Sequence, residues 1–284
     1  MAHRRRLPQF IDRISLRRGL KVSPFCIGIV RNPTTVSAAV EAGVNFFFVS
    51  TDMHWPYYDA TRRGLAAFLR GAPRRRDEIV VAAVCYPTQP EFNRMPFEEL
   101  IDAVPGLQRI DVAVMGGSYA NDFMARLPVY LEHRQAAFAG TRAIGATFHD
   151  RTAVAPAANH RLIDIAFARY NPGHPGARED LFPRLSTAAR APLFNFTNTG
   201  GFVGAARRKA LGLPSGLWAP DVTDYHRFAL SRPEIGGLLC SPRTPREVHS
   251  LHDALQRGPL SDEEERLLID LAALDRGDAE LAEE

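Results

Sequence analysis

Polar side chains with acid–base chemistry are concentrated in residues 50–58 of the sequence. Asp52 and His54 stand two residues apart there, and a carboxylate beside an imidazole can act as a general-base pair or supply metal ligands. The other interpretation is a turn in which Asp52 bonds the nearby backbone and His54 faces solvent. Trp55, next along the chain, is a candidate to contact a substrate.

A second group of candidates lies in two later segments. Arg169, Asn171 and His174 belong to a run rich in Pro and Gly, and an arginine in such a loop suits recognition of an anion or carboxylate. His149 is a further candidate for acid–base catalysis. Asp150, beside it, also suits the N-cap of a following helix.

Three more residues are candidates to bind a polar ligand. Asn195 and Asn198 can hydrogen-bond a substrate, although the same residues suit a turn before a Gly-Gly pair. Tyr86 follows an apolar run that ends at Cys85. A cysteine nucleophile needs a lowered pKa, and a buried, inert thiol is the alternative for Cys85.

These candidates have no spacing that is specific for a metal site. Apart from the neighbours Asp52 and His54, these side chains are far apart in the sequence, and the histidines form no strand motif of the His-x-His type. Oxygen and imidazole ligands from several strands can still converge on one ion. The sequence therefore predicts no metal, and it leaves the cofactor unknown.

The candidates follow short apolar runs that alternate with helical segments, a pattern typical of parallel strands with crossover helices. The predicted strands are 25–30, 45–50, 79–85, 110–115, 143–147, 163–170, 192–196 and 237–240. The predicted helices are 34–42, 59–70, 96–104, 121–139, 151–160, 177–189, 221–232, 246–256 and 261–274. Eight such repeats predict one α/β domain over residues 1–284, a (β/α)8 TIM barrel whose site lies at the carboxyl ends of the strands.

Composition narrows the classes of partner. The formal net charge of +3 for 284 residues gives no reason to expect nucleic-acid binding. No apolar stretch reaches the roughly 18 residues that a membrane span needs, so we expect a cytoplasmic protein without a membrane partner. The acidic tail 276–284 is expected to fray. A partner protein or a homodimer is compatible with the composition.

Several segments, taken together, carry a resemblance to a known family. They are GLKVSPFCIG (19–28), AGVNFF (42–47), RDEIVVA (76–82), RIDV (109–112), RAIGA (142–146) and GPLSDEE (258–264). In this order they resemble segments of the aldo-keto reductase superfamily. The resemblance implies a (β/α)8 barrel and NADPH-dependent carbonyl reduction by an Asp, Tyr, Lys and His at strand ends.

The chain departs from that family where the chemistry is done. The resemblance places Phe48 at the Asp position, Val84 at the Lys position and Gly116 at the His position. Tyr57 or Tyr58 falls near the Tyr position. Ordinary tyrosine has a pKa of about 10 and donates its proton poorly at neutral pH without a neighbouring cation or acid.

The resemblance also bears on the cofactor. Ser241 and Arg243 lie in a segment similar to the family's phosphate-binding turn, so residual NADP binding is implied at these two residues. Large apolar residues stand where partners of the nicotinamide carboxamide are expected. An amide left without hydrogen-bond partners there costs roughly 1–3 kcal/mol per lost partner.

Three hypotheses of function remain. The first is a repurposed barrel enzyme of bacterial specialised metabolism that does acid–base chemistry on a polar small molecule or modified peptide. Its candidates for catalysis are Asp52, His54, Tyr57, Tyr58, His149 and His174. The second is a non-catalytic scaffold for a biosynthetic enzyme, and the third is a divergent NADP-dependent reductase.

Overall fold

Eight parallel strands close into a barrel. The computed structural model describes residues 6–277 apart from 53, 72, 88, 90, 91, 93, 134–140 and 189. A short antiparallel pair, β1 (Ile14–Ser15) and β2 (Lys21–Val22), precedes the barrel. The barrel strands are β3 (Phe25–Ile27), β4 (Phe46–Ser50), β5 (Val80–Cys85), β6 (Val112–Ser118), β7 (Ala143–Phe148), β8 (Ile165–Arg169), β9 (Leu193–Phe196) and β10 (Ile235–Cys240). Each predicted strand overlaps one of these, which confirms the (β/α)8 fold class.

The helices lie between successive strands and after the last one. They are α1 (Thr34–Glu41), α2 (Asp59–Gly71), α3 (Arg94–Ala103), α4 (Phe123–Glu132), α5 (Val154–Asn159), α6 (Ala177–Asp180), α7 (Ala205–Ala210), α8 (Val222–Leu230), α9 (Pro245–Leu255) and α10 (Asp262–Arg276). Most match the predicted segments to within a few residues.

Several helix predictions need correction or fall outside the described residues. The segment predicted as one helix over 177–189 is the four-residue α6 followed by a separate 3-10 turn, Phe182–Arg184. Pro183 has no N–H to continue an α-helix, so the helix breaks there. α7 was not predicted. Part of the predicted helix 121–139, and the tail beyond Gly277, lie outside the described residues.

Four phenylalanine rings fill the interior of the barrel. Phe46 packs edge-on against Phe194, with ring centroids 5.8 Å apart, and Phe194 contacts Phe167 at 5.7 Å. Phe167 of β8 reaches Phe48 of β4 at 5.5 Å. These two strands lie on opposite sides of the closed barrel, so the rings meet across its axis. This aromatic column makes the interior a packed core and leaves the chemistry to the rim.

The lower end of the barrel, where the amino ends of the strands lie, is closed by the β1–β2 hairpin. Leu16, Leu20 and Val22 from this segment are buried among the interior residues of the barrel strands. Burying a leucine removes apolar surface from water and stabilises the fold by about 1.5–3 kcal/mol per side chain. The hairpin therefore covers the amino end of the barrel with apolar side chains.

Polar side chains tie neighbouring strands together in pairs at this lower end. Asn45, Asp111 and Asp164 each stand one residue before a strand and accept a backbone N–H from the chain beside it. The acceptor–donor pairs are Asn45 with Ser23 (2.6 Å), Asp111 with Val81 (2.8 Å) and Asp164 with Ile144 (2.8 Å). Arg76 pairs with Asp111 at 2.8 Å, and both side chains are buried.

The last helix, α10, supports the rim, which is the end of the barrel where the carboxyl ends of the strands lie. Ser261 and Glu264 form a capping box at the start of α10. Glu265 accepts from Arg178 of α6 at 2.6 Å, which ties α10 to α6. Arg276 donates to the carbonyl oxygen of Gly173, in the loop that follows β8 (2.9 Å). Among the described residues, no helix is both long and apolar enough to cross a membrane.

Candidate active site

Asp52 organises the loop that leaves β4. Its Oδ1 accepts from the hydroxyl of Ser50 at 3.1 Å and from the backbone N–H of His54 at 3.3 Å. Its Oδ2 accepts the backbone N–H of Tyr86, at the end of neighbouring strand β5, at 2.5 Å. The carboxylate thus joins two strand ends, and it also forms the turn that the sequence left open as an alternative.

His54 forms the predicted pair with Asp52. Its Nδ1 lies 3.3 Å from Oδ1 of Asp52, and its ring lies against the ring of Tyr86, with centroids 4.5 Å apart. The side chain of His54 is 41% exposed. Nε2 makes no hydrogen bond to any described residue. A carboxylate that fixes Nδ1 leaves Nε2 available for proton transfer, so the geometry suits a general base.

The two tyrosines of this loop have different surroundings. Trp55 to Tyr58 form a 3-10 turn in which Tyr57 is 67% exposed. Tyr58 is half-buried, and its ring packs on Phe48 at the top of the aromatic column, with centroids 6.3 Å apart. Burial, followed by the charges of Tyr86, Cys26 and Asp52, raises the pKa of Tyr58. Tyr58 is therefore a protonated phenol at neutral pH, and Tyr57 faces solvent.

Trp55 lies on the outer side of the same turn. It is 48% exposed, and the guanidinium of Arg62 from α2 lies 5.6 Å from its ring centroid. Both residues line a groove on the outer surface, between α2 and α3. The predicted contact of Trp55 with substrate stays a prediction.

The ring of Tyr86 covers Gly116. A Cβ built on Gly116 would lie 2.7–2.9 Å from three atoms of that ring, closer than real Cβ contacts. Phe48 and Val84 are buried in the barrel interior beside them. Burial, and next the charge of Asp52, raises the pKa of Tyr86, so it too keeps its proton at neutral pH. That these three positions correspond to the reductase Asp, Lys and His stays a prediction.

Two buried arginines that the sequence did not single out support this side of the rim. Arg126 of α4 donates to the carbonyl oxygens of Gly116 (2.9 Å) and Tyr86 (3.3 Å). Arg62 of α2 donates to the carbonyl oxygen of Ser50 (2.8 Å). Arg126 also pairs with Asp122, four residues earlier on the chain, and Arg62 pairs with Glu99 of α3. The hydrogen bonds to strand ends appear only in three dimensions.

Arg169 lies across the barrel from His54, at the end of β8. It follows Phe167 by two residues and so points to the same side of the sheet as that interior ring. Its side chain is half-buried and makes no hydrogen bond or ion pair with any residue that the structure describes. Burial and then the charge of Arg169 lower the pKa of both His149 and His174. A free guanidinium between two neutral histidines suits the predicted binding of an anion.

The side chains of Asn171, Asn195 and Asn198 are buried and hydrogen-bonded within the protein. Asn195 accepts from the backbone N–H of Tyr170 and donates to Asn198 (both 2.6 Å). Asn198 donates in turn to the carbonyl oxygen of Leu239 (2.7 Å). Asn171 donates to the carbonyl oxygen of Thr197 (2.7 Å). This geometry favours the turn interpretation, while their predicted contact with substrate stays a prediction.

Asp150 and Cys85 take the structural roles that were left open. Asp150 accepts from the backbone N–H of Thr152 at 2.9 Å, as the predicted N-cap of the turn that leads into α5. Burial, and then the charge of Asp52, raises the pKa of Cys85 to about 12. A thiol with that pKa stays protonated near pH 7, so it is a poor nucleophile.

The predicted phosphate site at Ser241 and Arg243 is partly occupied by the protein's own groups. The hydroxyl of Ser241 accepts the backbone N–H of Ile29 at 3.2 Å. The backbone N–H of Arg243 donates to the carboxylate of Glu247 at 2.8 Å. A phosphate at this turn would meet the negative charge of Glu247 where α9 begins. As placed, these residues do not fit the phosphate of a dinucleotide.

The predicted candidates for catalysis do not gather as metal ligands. Within the described ranges, no three His, Cys, Asp or Glu side chains stand close enough to hold an ion together. Asp52 and His54 lie at the end of β4, His149 at β7 and His174 after β8. They surround the rim without converging.

Comparison with solved structures identifies the architecture. An aldo-keto reductase from Bacillus halodurans in its holo form superposes with a TM-score of 0.67 at 13% identity, covering 92% of this chain and 96% of that one. An aldo/keto reductase from Brucella melitensis gives a TM-score of 0.61 at 14% identity, covering 92% and 99%. An aldo-keto reductase from Bombyx mori in complex with NADP gives 0.64 at 16% identity, covering 92% of each chain.

Sequence comparison adds nothing to these structural matches. No protein-family model and no curated protein sequence matches the chain. Matches in structure at such low identity show the fold and leave the activity open. The chain therefore has the fold of the aldo-keto reductases.

Proposed function

We propose that the chain is an acid–base enzyme which acts on an anionic small molecule or modified peptide, and that it does not carry out ordinary NADPH-dependent carbonyl reduction. The observation that carries the proposal is the pairing of His54 with Asp52 at 3.3 Å on the rim. Arg169, on the opposite strand, has no partner among the described residues, so it can hold a negative charge of the substrate.

In this mechanism Asp52 orients the imidazole and stabilises it once it is protonated. His54 takes a proton from the substrate at Nε2. The phenols of Tyr58 and Tyr86 lie on the same side of the rim, and both keep their protons at neutral pH because their pKa values are raised. Each can therefore donate a hydrogen bond to a substrate oxygen on which negative charge develops.

The test compares two histidine–aspartate pairs in the same chain. Purified wild type and the variant His54→Gln are incubated with an extract of small metabolites, and consumption is followed by mass spectrometry. The matched control is His252→Gln, because His252 also neighbours an aspartate, at 3.6 Å, but lies on α9. We expect the wild type and the control to consume a compound that His54→Gln leaves intact. Equal consumption by all three proteins would remove His54 from the mechanism.

The divergent reductase is the second candidate, because a protein of this fold binds NADP in the silk moth structure. Titration with NADPH, followed by its fluorescence, separates the two candidates. We expect no saturable change, since Glu247 places a carboxylate where a phosphate would bind. Saturable binding together with oxidation of NADPH by a carbonyl compound would favour the reductase. A non-catalytic scaffold predicts that no rim variant changes any reaction.

A further inference from the structure

The inner rim carries an aromatic strip on either side of Arg169. The ring of His149, at the end of β7, stacks on Tyr119 with centroids 6.0 Å apart. Its other neighbour is Phe196 at the end of β9, at 6.1 Å and nearly perpendicular. Arg169 lies on β8, between these two strands, and is paired in register with Phe196. Arg169 therefore lies on the strand between the two strands whose ends carry these rings.

Several other partly buried arginines are satisfied within the protein, whereas Arg161, which precedes β8 at the opposite end of the barrel, has no such partner among the described residues either. Arg151 forms an ion pair with Asp180, Arg178 with Glu265, and Arg109 with Asp111. Arg169 is half-buried as well but makes no such contact with the described residues. Holding a guanidinium away from bulk water without a partner costs free energy, and an anion that binds there recovers it.

We propose that the ends of β7, β8 and β9 form a subsite for a planar acid, an aromatic or conjugated carboxylate, whose charge pairs with Arg169 and whose plane packs beside His149 and Phe196. This inference deepens the proposed function, because it names the substrate class of the same site. The planar fork of arginine matches the two oxygens of a carboxylate.

The surroundings favour a single negative charge over a phosphate. Burial, followed by the charge of Arg169, lowers the pKa of both His149 and His174, so these histidines are neutral near pH 7. Arg276 and Arg151 also act on His174, but Arg276 donates to the carbonyl oxygen of Gly173 and Arg151 pairs with Asp180. Arg169 is therefore the cation of this subsite that has no partner among the described residues. A monoanionic carboxylate is balanced by that charge. A neutral imidazole ring also offers a flat surface to an aromatic ligand.

Binding of trans-cinnamate, measured by calorimetry, tests the subsite without any assay of turnover. Cinnamyl alcohol has the same plane without the charge, and hexanoate has the charge without the plane. We expect wild type to bind cinnamate more tightly than either. The variant Arg169→Met should bind cinnamate about 10- to 100-fold more weakly, the loss expected for a charged hydrogen-bonded pair. Phe196→Leu should also weaken it.

The control is Arg161→Met, since Arg161 is another half-buried arginine whose side chain makes no hydrogen bond or ion pair with the described residues, but it precedes β8 at the opposite end of the barrel. Its affinity for cinnamate should equal that of wild type. Absence of saturable cinnamate binding by wild type, or equal affinity in Arg169→Met, would overturn the inference. His54→Gln keeps cinnamate binding if the subsite exists. If His54→Gln binds cinnamate normally and turns over substrate as fast as wild type, the proposed mechanism is rejected and the subsite is retained.

Discussion

Replacing Gly116 by alanine tests the contact that distinguishes this rim. The three atoms nearest to a Cβ at this position belong to the ring of Tyr86, at 2.7–2.9 Å. The backbone of Tyr86 is fixed on two sides, because its N–H donates to Asp52 and its carbonyl oxygen accepts from Arg126. One of the three atoms is the ring Cγ, which stays close to this fixed backbone, so rotation of the side chain alone does not relieve the clash. Overpacking of this kind typically costs about 1–3 kcal/mol.

A double-mutant cycle separates this clash from other effects of the substitution. In the background Tyr86→Ala the obstructing ring is gone, so Gly116→Ala should cost less than about 0.5 kcal/mol or even stabilise, since alanine restricts the unfolded chain. The coupling energy should therefore be about 1–3 kcal/mol. Urea unfolding followed by circular dichroism measures all four proteins.

The control for this cycle is Gly216→Ala. A Cβ at Gly216 would meet no atom within 4 Å, and its backbone conformation is open to any residue. We expect this variant to unfold at the same urea concentration as wild type or slightly higher. If Gly116→Ala proved as harmless as Gly216→Ala, the ring of Tyr86 would not occupy the space above Gly116, and the packing of these two strand ends would have to be different.

Three further outcomes are expected. Arg76→Met removes one of the two arginines paired with the buried carboxylate of Asp111, and Arg109 remains. The carbonyl oxygens of Leu107 and Ile79 also lose a donor, so the free energy of unfolding should fall by about 2–4 kcal/mol in urea titrations; a loss below about 1 kcal/mol contradicts the pairing. Arg169→Met removes a positive charge near His149, so the pKa of His149 should rise, and burial should keep it below its ordinary value. NMR titration of the ring measures this pKa, and an unchanged value would show that the two side chains are not close. Burial lowers the pKa of His226, so the folded state holds this ring neutral. The unfolded chain takes up a proton at this ring below a pH of about 6.5, so the stability present above that pH is lost as the pH falls. The free energy of unfolding should therefore fall less between pH 7.5 and pH 5.5 in His226→Gln than in wild type.

The sequence predicted the barrel because its signal is repeated. Each strand is an apolar run buried on both faces, and eight such runs alternate with helices, so an error in one boundary leaves the architecture unchanged. The β1–β2 hairpin was not predicted, since two strands of two residues each have no readable periodicity. The same holds for the short α7, with six residues.

The site was predicted in part, for a similar reason. Strand ends can be located from the sequence, which placed Asp52, His54 and Arg169 on the rim. What the sequence did not contain was the contact of Tyr86 with Gly116, because the two residues are 30 positions apart and meet only when β5 and β6 pair. The asparagines at the ends of β8 and β9 were chosen by residue type, and type alone does not distinguish an amide that binds substrate from one that closes a turn.

The column of phenylalanine rings has a consequence for how this protein can change over time. Because the rings meet across the barrel axis, the scaffold draws its stability from layers beneath the rim. The strand ends and loops that carry His54, His149 and Arg169 rest on those layers. Substitutions in the loops can therefore alter which compound is accepted while the scaffold stays folded, so variation in ligand preference among descendants of this chain should be found at the rim and conservation in the layers below.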